Sequence, residues 1–221
     1  MVKKWSVALC CLITSVATGQ HTVSVQVTVA PTWVHTSYNR TYLYPESDGQ
    51  VVEPVFLAGS VFTVGYTTGV TAHYTYAPGW SVAMGAWYSQ TSLRQVRSVA
   101  AGEGTTVVRS RTVRLPFLLD YQPLTRSLSP YFSLGLLLDF PLTGRVVVTR
   151  SGQPTQHLRL GVGSGPVFQP TLGAGVRYQL SPRCAVTVQP IGSYNLGRFG
   201  GSQTDNSAYD VSVLAQLTYS L

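Results

Sequence analysis

Hydrophobic and polar residues alternate along most of the chain. In the final segment, AYDVSVLAQLTYSL, Tyr209, Val211 and Val213 fall on one parity while Asp210 and Ser212 fall on the other. Because side chains of a β-strand point alternately to its two faces, this period of two predicts a strand with one apolar and one polar face. Similar runs cover residues 22–33, 62–76, 80–89, 112–121, 131–140, 168–180 and 186–196. The pattern therefore predicts eight strands.

The connections between the predicted strands alternate in length. Short connections with proline, such as APGW and SPRC, alternate with long ones at roughly residues 38–55, 94–105, 141–166 and 197–207. An up-and-down sheet with tight turns at one rim and loops at the other has this layout, as bacterial outer-membrane barrels do. Since a sheet in lipid cannot leave an open edge, the last strand should pair with the first. We predict an all-β, eight-stranded antiparallel up-and-down transmembrane β-barrel with periplasmic termini.

Composition indicates which face of the strands is exterior. The chain is 44% apolar and only 10% charged, against about 25% charged residues in an ordinary soluble domain. The polar parity is largely Gly, Ser, Thr and Gln, which suits a narrow lumen better than a water-facing surface. Aromatic residues recur at the ends of the runs, as the interfacial girdles of a membrane barrel require. The alternative is a soluble secreted β-barrel with its apolar parity inward, binding a hydrophobic ligand.

The N-terminus has the three regions of a secretory signal peptide. Lys3 and Lys4 precede an apolar run at residues 5–16 and small residues at 17–19. The run is shorter than the roughly 20 residues of a membrane-spanning helix. We expect residues 1–19 to be a cleaved signal peptide and residues 20–221 to form a single barrel domain. Cleavage leaves Cys184 as the one cysteine, so an internal disulfide is not expected.

The mature chain is basic but contains no lysine. Removing two lysines from 15 Lys plus Arg leaves 13 Arg against 8 Asp plus Glu, or +5. The arginines are scattered singly and the chain is predicted to be exported, so we expect no nucleic-acid binding. Because Arg recognises phosphate bidentately, arginines of the long connections are candidates to contact lipopolysaccharide, with generic loop solubility the open alternative. These are Arg40, Arg94, Arg97, Arg145, Arg150, Arg159 and Arg198.

Five charged residues fall on the polar parity of the strands. They are Arg114, Arg177, Asp120, Asp139 and Asp210. An eight-stranded barrel is filled by its own side chains, and a buried charge without a partner is costly. We therefore expect these residues to pair in the lumen as a structural polar network, so that no large open pore remains.

Signals for catalysis or cofactor binding are weak. A lipid-modifying barrel enzyme, a further alternative, would need His35 or His73 to meet a serine and a carboxylate at the loop rim, and no G-x-S-x-G motif occurs. Glu46, Asp48 and Glu53 share the first long connection, where a solvated loop is favoured over a weak calcium site. We expect no catalytic residues, no metal and no cofactor.

Several segments carry a family resemblance. At VRLPFLLDYQPL, SPYFSLGLLLDF and PTLGAGVRYQLSPRCAVTVQPIGSYNLG, within about residues 113–196, the chain resembles the small outer-membrane β-barrels of Bacteroidota, the porin-family or PorT-like barrels. The resemblance implies a structural, adhesive or surface-loop binding role in the cell envelope. Independently of the resemblance, the predicted location implies outer-membrane lipids and lipopolysaccharide as partners, and the last strand, which ends on Leu221, resembles the sorting signal read by the outer-membrane assembly machinery. Asp120 stands where that family commonly has a basic residue, and no functional residue is carried over.

Overall fold

The strands form one closed antiparallel sheet. A computed structural model describes residues 22–42, 57–97, 103–123, 126–152, 154–160, 165–196 and 206–221. The strands are β1 (Thr22–Tyr42), β2 (Leu57–Ala77), β3 (Trp80–Arg97), β4 (Gly104–Tyr121), β5 (Leu128–Arg150), β6 (Gln156–Leu160), β7 (Val167–Gln179), β8 (Cys184–Tyr194) and β9 (Asn206–Ser220). All except β6 lie in an eight-membered ring ordered β1-β2-β3-β4-β5-β7-β8-β9. The predicted all-β, eight-stranded up-and-down barrel is confirmed.

The first and last ring strands close the barrel. In the β1–β9 pairing, Val25 lies opposite Tyr219 and Thr36 lies opposite Ala208. One more backbone bond at the end of the ladder joins the Leu221 amide to the Val23 carbonyl at 3.0 Å. The pairing leaves neither β1 nor β9 with an open edge, as is expected of a sheet in lipid.

Strands extend into the predicted long connections. β1 continues to Tyr42, β3 reaches Arg97, β4 starts at Gly104 and β5 runs to Arg150. The additional strand β6 lies in the predicted loop of residues 141–166 and pairs with β5 alone. The prediction of loops was wrong there because strand segments with polar residues on both parities lose the alternation that marks a half-buried strand.

Short turns connect β2 to β3, β4 to β5 and β7 to β8 at one rim. In the first of these, Gly79 has a φ of 77°, a left-handed conformation that glycine adopts without steric cost. Gln122 donates its backbone amide to the Gly79 carbonyl at 2.7 Å, which ties this turn to the next one. We call this end the turn rim and the opposite end, to which β4 and β5 extend, the extended rim.

Some sequence-based predictions lie outside the described residues. They include the signal peptide at residues 1–19 and Arg198. Arg40 and Arg97 lie at the ends of β1 and β3, but their side chains are not among those described. In the part of the chain that is described, no helix has the length and apolar character needed to span a bilayer.

Candidate functional site

The apolar side chains point away from the barrel axis. Along β1, Val27 and Val29 are 49% and 54% exposed, whereas Gln26 and Thr28 between and beside them are at most 1% exposed. On β9, Leu217 is 52% exposed and its polar neighbours are buried. A soluble ligand-binding barrel would have the opposite arrangement, since its apolar residues form the core or line the cavity.

Exposed rings lie toward both ends of this apolar surface. Near the turn rim they are Tyr74, Trp80, Phe132, Tyr178 and Tyr219. Toward the extended rim they are Trp33, Phe62, Tyr66, Phe140, Tyr194 and Tyr209. The middle of the outward surface is therefore largely aliphatic, with Phe117 as an exception, and a belt of aromatic side chains lies at each edge. His35 also belongs to the second edge, where it packs between Phe62 and Tyr209 at centroid distances of 4.5 and 4.7 Å.

A buried ion cluster occupies the lumen toward the extended rim. Arg114 of β4 lies directly opposite Asp139 of β5 in the strand register. Its Nε is 3.2 Å from Asp139 Oδ2, and its Nη1 is 2.7 Å from Asp210 Oδ2 on β9. Gln169 of β7 donates to the same Asp139 oxygen at 3.1 Å. All four residues are at most 9% exposed, so one guanidinium joins two carboxylates across the barrel.

A second polar cluster lies toward the turn rim. Ser133 donates to Asp120 Oδ1 at 2.5 Å, and His73 Nδ1 lies 3.1 Å from the other carboxylate oxygen. His73 Nε2 lies 2.7 Å from Gln26 Oε1. Tyr131, which is 2% exposed, lies beside Asp120 as well. The carboxylate thus has partners on two other strands, β2 and β5.

Arg177 of β7 belongs to this second cluster. It lies opposite Ser129 of β5 in the strand register, and its guanidinium is near enough to Asp120 for the two charges to attract. The five charged residues predicted to share the lumen are therefore divided, with Arg114, Asp139 and Asp210 in one cluster and Asp120 and Arg177 in the other.

An apolar layer separates the two polar clusters. It is formed by Ala30, Ala83, Trp87, Leu118, Leu137, Ile191 and Leu214, all at most 6% exposed. The Trp87 indole donates to Thr71 Oγ1 at 2.9 Å, so its polar atom is satisfied inside the lumen. Gly69 leaves room for this ring, because a Cβ there would lie 2.5 Å from Trp87 Cδ1. The middle of the lumen is therefore packed with side chains.

The described residues contain no assembled nucleophile and base. His73 and Ser133 both contact Asp120, but on different oxygens, and all three are at most 5% exposed inside the lumen. His35 is on the outer surface between two aromatic rings. Among the described side chains, no group of three His, Cys, Asp or Glu could hold a metal ion.

The extended rim carries exposed arginines on its outer face. Residues 109, 111 and 113 of β4 share the parity of Phe117, which is 40% exposed to the outside. In the ladder, Arg109 lies opposite Arg145 of β5, and Arg145 lies opposite Arg159 of β6. We call the following set the outer arginine face: Arg94, Arg109, Arg111, Arg145 and Arg159, all exposed.

The outer arginine face differs from the predicted set of loop arginines. Arg94, Arg145 and Arg159 belong to both sets, but they lie on strands. Arg109 and Arg111 were missed because they fall between a predicted loop and predicted strand four. Their spacing with Val113 continues that strand's outward parity and was the available signal. Arg150 is half-buried and shares the inward parity of Val146 and Val148, so it does not belong to the outer arginine face.

The fold and its side-chain placement define a closed eight-stranded barrel with an apolar exterior and a filled polar lumen. It is similar to Neisserial surface protein A (NspA), with a TM-score of 0.47 and 14% identity over 89% of this chain and 96% of that chain. It is also similar to OprG from Pseudomonas aeruginosa, with a TM-score of 0.46 and 14% identity over 89% of this chain and 95% of that chain. The outer membrane protease OmpT from Escherichia coli is similar with a TM-score of 0.46 and 10% identity over 93% of this chain and 100% of that chain.

No family model and no curated protein sequence matches the chain. The class assigned above therefore rests on this chain's own strand pairing and side-chain placement.

Proposed function

We propose that the chain is an integral outer-membrane barrel with a structural or adhesive role, closed to large solutes, that displays its extended rim on the cell surface. The observation that carries this proposal is the outward apolar surface between two aromatic edges. In lipid such a surface is solvated by acyl chains, whereas in water a continuous apolar surface of this extent would drive association.

The height of the apolar surface fits a bilayer. Phe62 and Tyr74 on β2 both face outward at its two edges. At about 3.3 Å per residue and a tilt of about 40°, they are separated by about 30 Å along the barrel axis. The apolar band of outer-membrane barrels is about 25 Å tall.

The orientation follows from the two rims. Barrels of this class have short periplasmic turns and longer extracellular segments. On this basis the turn rim, with the start of β1 and the end of β9, faces the periplasm, and the extended rim faces outward. From Phe140 to Arg150, β5 continues beyond the aromatic edge for about 25 Å along the axis, estimated from the same rise and tilt. This extension is the part of the protein that is available to partners outside the cell.

The lumen argues for a structural rather than a transport role. Trp87, Leu118, Leu137 and Leu214 fill its middle, and moving an ion past an apolar layer carries a large desolvation cost. The alternative of a lipid-modifying enzyme lacks support among the described residues, because neither His35 nor His73 contacts a serine there. The narrower assignment to the Bacteroidota family stays a prediction, since no family model matches.

Fractionation of cells that express the full-length chain tests the proposal. We expect recovery in the outer-membrane fraction, and a detergent-extracted band whose gel mobility changes on boiling. A soluble product that needs no detergent would overturn the proposal. In planar bilayers the purified barrel should show no steady large conductance, and a sustained open channel would contradict the closed lumen.

A further inference from the structure

Three arginines on adjacent strands lie side by side at the extended rim. Arg109, Arg145 and Arg159 occupy directly opposed positions on β4, β5 and β6. Neighbouring strands are about 4.8 Å apart, and like charges directly opposite one another destabilise a sheet. Within the described part of the chain, none of the three is paired with a carboxylate. An anion placed over this row would remove the repulsion.

The sheet that holds this row is anchored from behind. Leu93, Val146 and Val148 have the opposite parity and are 7%, 0% and 1% exposed. Arg145 and Val146 are adjacent on β5, so their side chains lie on opposite faces of the strand. Burial of the inner face fixes the strands, and the guanidinium groups therefore project from a preorganised surface rather than from a free loop.

A small concavity lies within the outer arginine face. It measures about 230 Å³ and lies between the outward-facing Arg145, His157 and Arg159, with the inward-facing Val146 of the same strand also adjoining it. At about 30 Å³ per water molecule in the liquid, this is the volume of roughly eight waters, which leaves room for a phosphate group. Arginine is suited to such a ligand because its planar guanidinium can donate two hydrogen bonds to one phosphate.

The outer arginine face begins at the height of lipid headgroups. Val113 is level with Tyr88 and Phe140 at the aromatic edge. Arg111 and Arg109 precede Val113 by two and four residues on the same face, which puts their Cα atoms about 5 and 10 Å above that edge. The headgroup layer outside the hydrocarbon is about 5–8 Å deep on each side, and arginine side chains can bend toward it.

We propose that the outer arginine face binds the phosphate groups of a phosphorylated glycolipid, lipopolysaccharide, in the outer leaflet around the barrel. The proposal rests on the outer-membrane location argued above. Its occupant is a lipid rather than a soluble anion, because the arginines continue directly from the lipid-facing surface. A phosphate held there can bridge β4, β5 and β6 and so stabilise the extended rim.

The test compares two variants that each lose two exposed arginines. The row variant carries Arg145→Gln and Arg159→Gln and so loses two of the three opposed arginines. The turn-rim variant carries Arg126→Gln and Arg183→Gln and so loses two exposed arginines at the turn rim. Purified full-length barrels in detergent are titrated with lipopolysaccharide, and binding is followed by the rise in unfolding temperature. Inorganic phosphate, heparin and enzymatically dephosphorylated lipopolysaccharide are the comparison probes.

We expect the row variant to bind lipopolysaccharide at least about tenfold more weakly than the unmodified barrel, since charge-assisted contacts are lost. The turn-rim variant should bind normally, and dephosphorylated lipopolysaccharide should bind as weakly as the row variant does. Equal binding by both variants would overturn the proposal. Displacement by inorganic phosphate or heparin at comparable concentrations would also overturn it, by indicating a soluble anion instead.

Heat-modifiable gel mobility of each variant serves as the folding control. If the row variant does not fold, Arg109→Gln alone replaces it, with Arg126→Gln as its match. Failure of the outer-membrane proposal would be distinct, because the unmodified chain would then fractionate as a soluble protein whatever the titrations gave.

Discussion

Replacing Arg114 with methionine should strongly destabilise the barrel. The guanidinium is 2.7 Å from Asp210 and 3.2 Å from Asp139, and the three residues are 5–6% exposed. Methionine retains an unbranched side chain but leaves two carboxylates facing each other without a cation. Removing one partner of a buried ion pair typically costs about 3–5 kcal/mol. We expect a loss of that size in the free energy of unfolding.

Urea unfolding of the detergent-solubilised barrel, followed by tryptophan fluorescence and by gel mobility without boiling, measures this loss. Arg126→Met removes an exposed arginine at the turn rim and should change the free energy of unfolding by less than about 0.5 kcal/mol. Arg114→Met combined with Asp139→Asn and Asp210→Asn removes the cluster's charges together and should recover part of the loss. The reasoning is refuted if Arg114→Met unfolds within about 0.5 kcal/mol of the unmodified barrel.

Three further substitutions test the packing and the exterior. Trp87→Ala should cost about 3–5 kcal/mol in urea unfolding because a buried ring is lost; a cost below about 1 kcal/mol would contradict a packed lumen. Gly69→Ala should prevent heat-modifiable folding, since the added Cβ would lie 2.3 Å from the Ala86 carbonyl oxygen, whereas the Cβ added by Gly192→Ala meets nothing within 4 Å. Equal folding of the two variants would contradict this close approach at Gly69. Val29→Arg, at mid-height of the apolar surface, should lower the free energy of unfolding by about 2–4 kcal/mol, and Val23→Arg, near the turn rim, by about 0–1 kcal/mol. Equal losses would exclude a hydrocarbon-facing surface.

The sequence was sufficient to predict the ring and which parity faces inward. Alternation such as that of Gln26, Val27, Thr28 and Val29 is a local property, because the two faces of a strand meet two different environments along its whole length. The strand count and the closure followed from the same pattern. The ends of the strands did not, since beyond the apolar surface both parities carry a mixture of polar and apolar residues and the period of two disappears.

The division of the lumen into layers could not be predicted from parity. The axial level of a side chain depends on the register between strands, which a single run does not reveal. Trp87 and Leu214 interrupt the polar parity of their runs, and both prove to belong to the apolar layer. Asp120 and Asp139 both face the lumen, but the register puts them on opposite sides of that layer, so they do not share a network.

The two settings of arginine in this barrel differ in how their charge is balanced. In the lumen, Arg114 is surrounded by carboxylates on two other strands, which the high cost of an unpaired buried charge requires. On the outer arginine face, Arg109 and Arg145 have each other as direct neighbours instead. Sequences that fold well avoid such local conflicts except where function needs them. The outer row violates the charge-pairing rule that the lumen obeys, and an external phosphate would resolve that conflict.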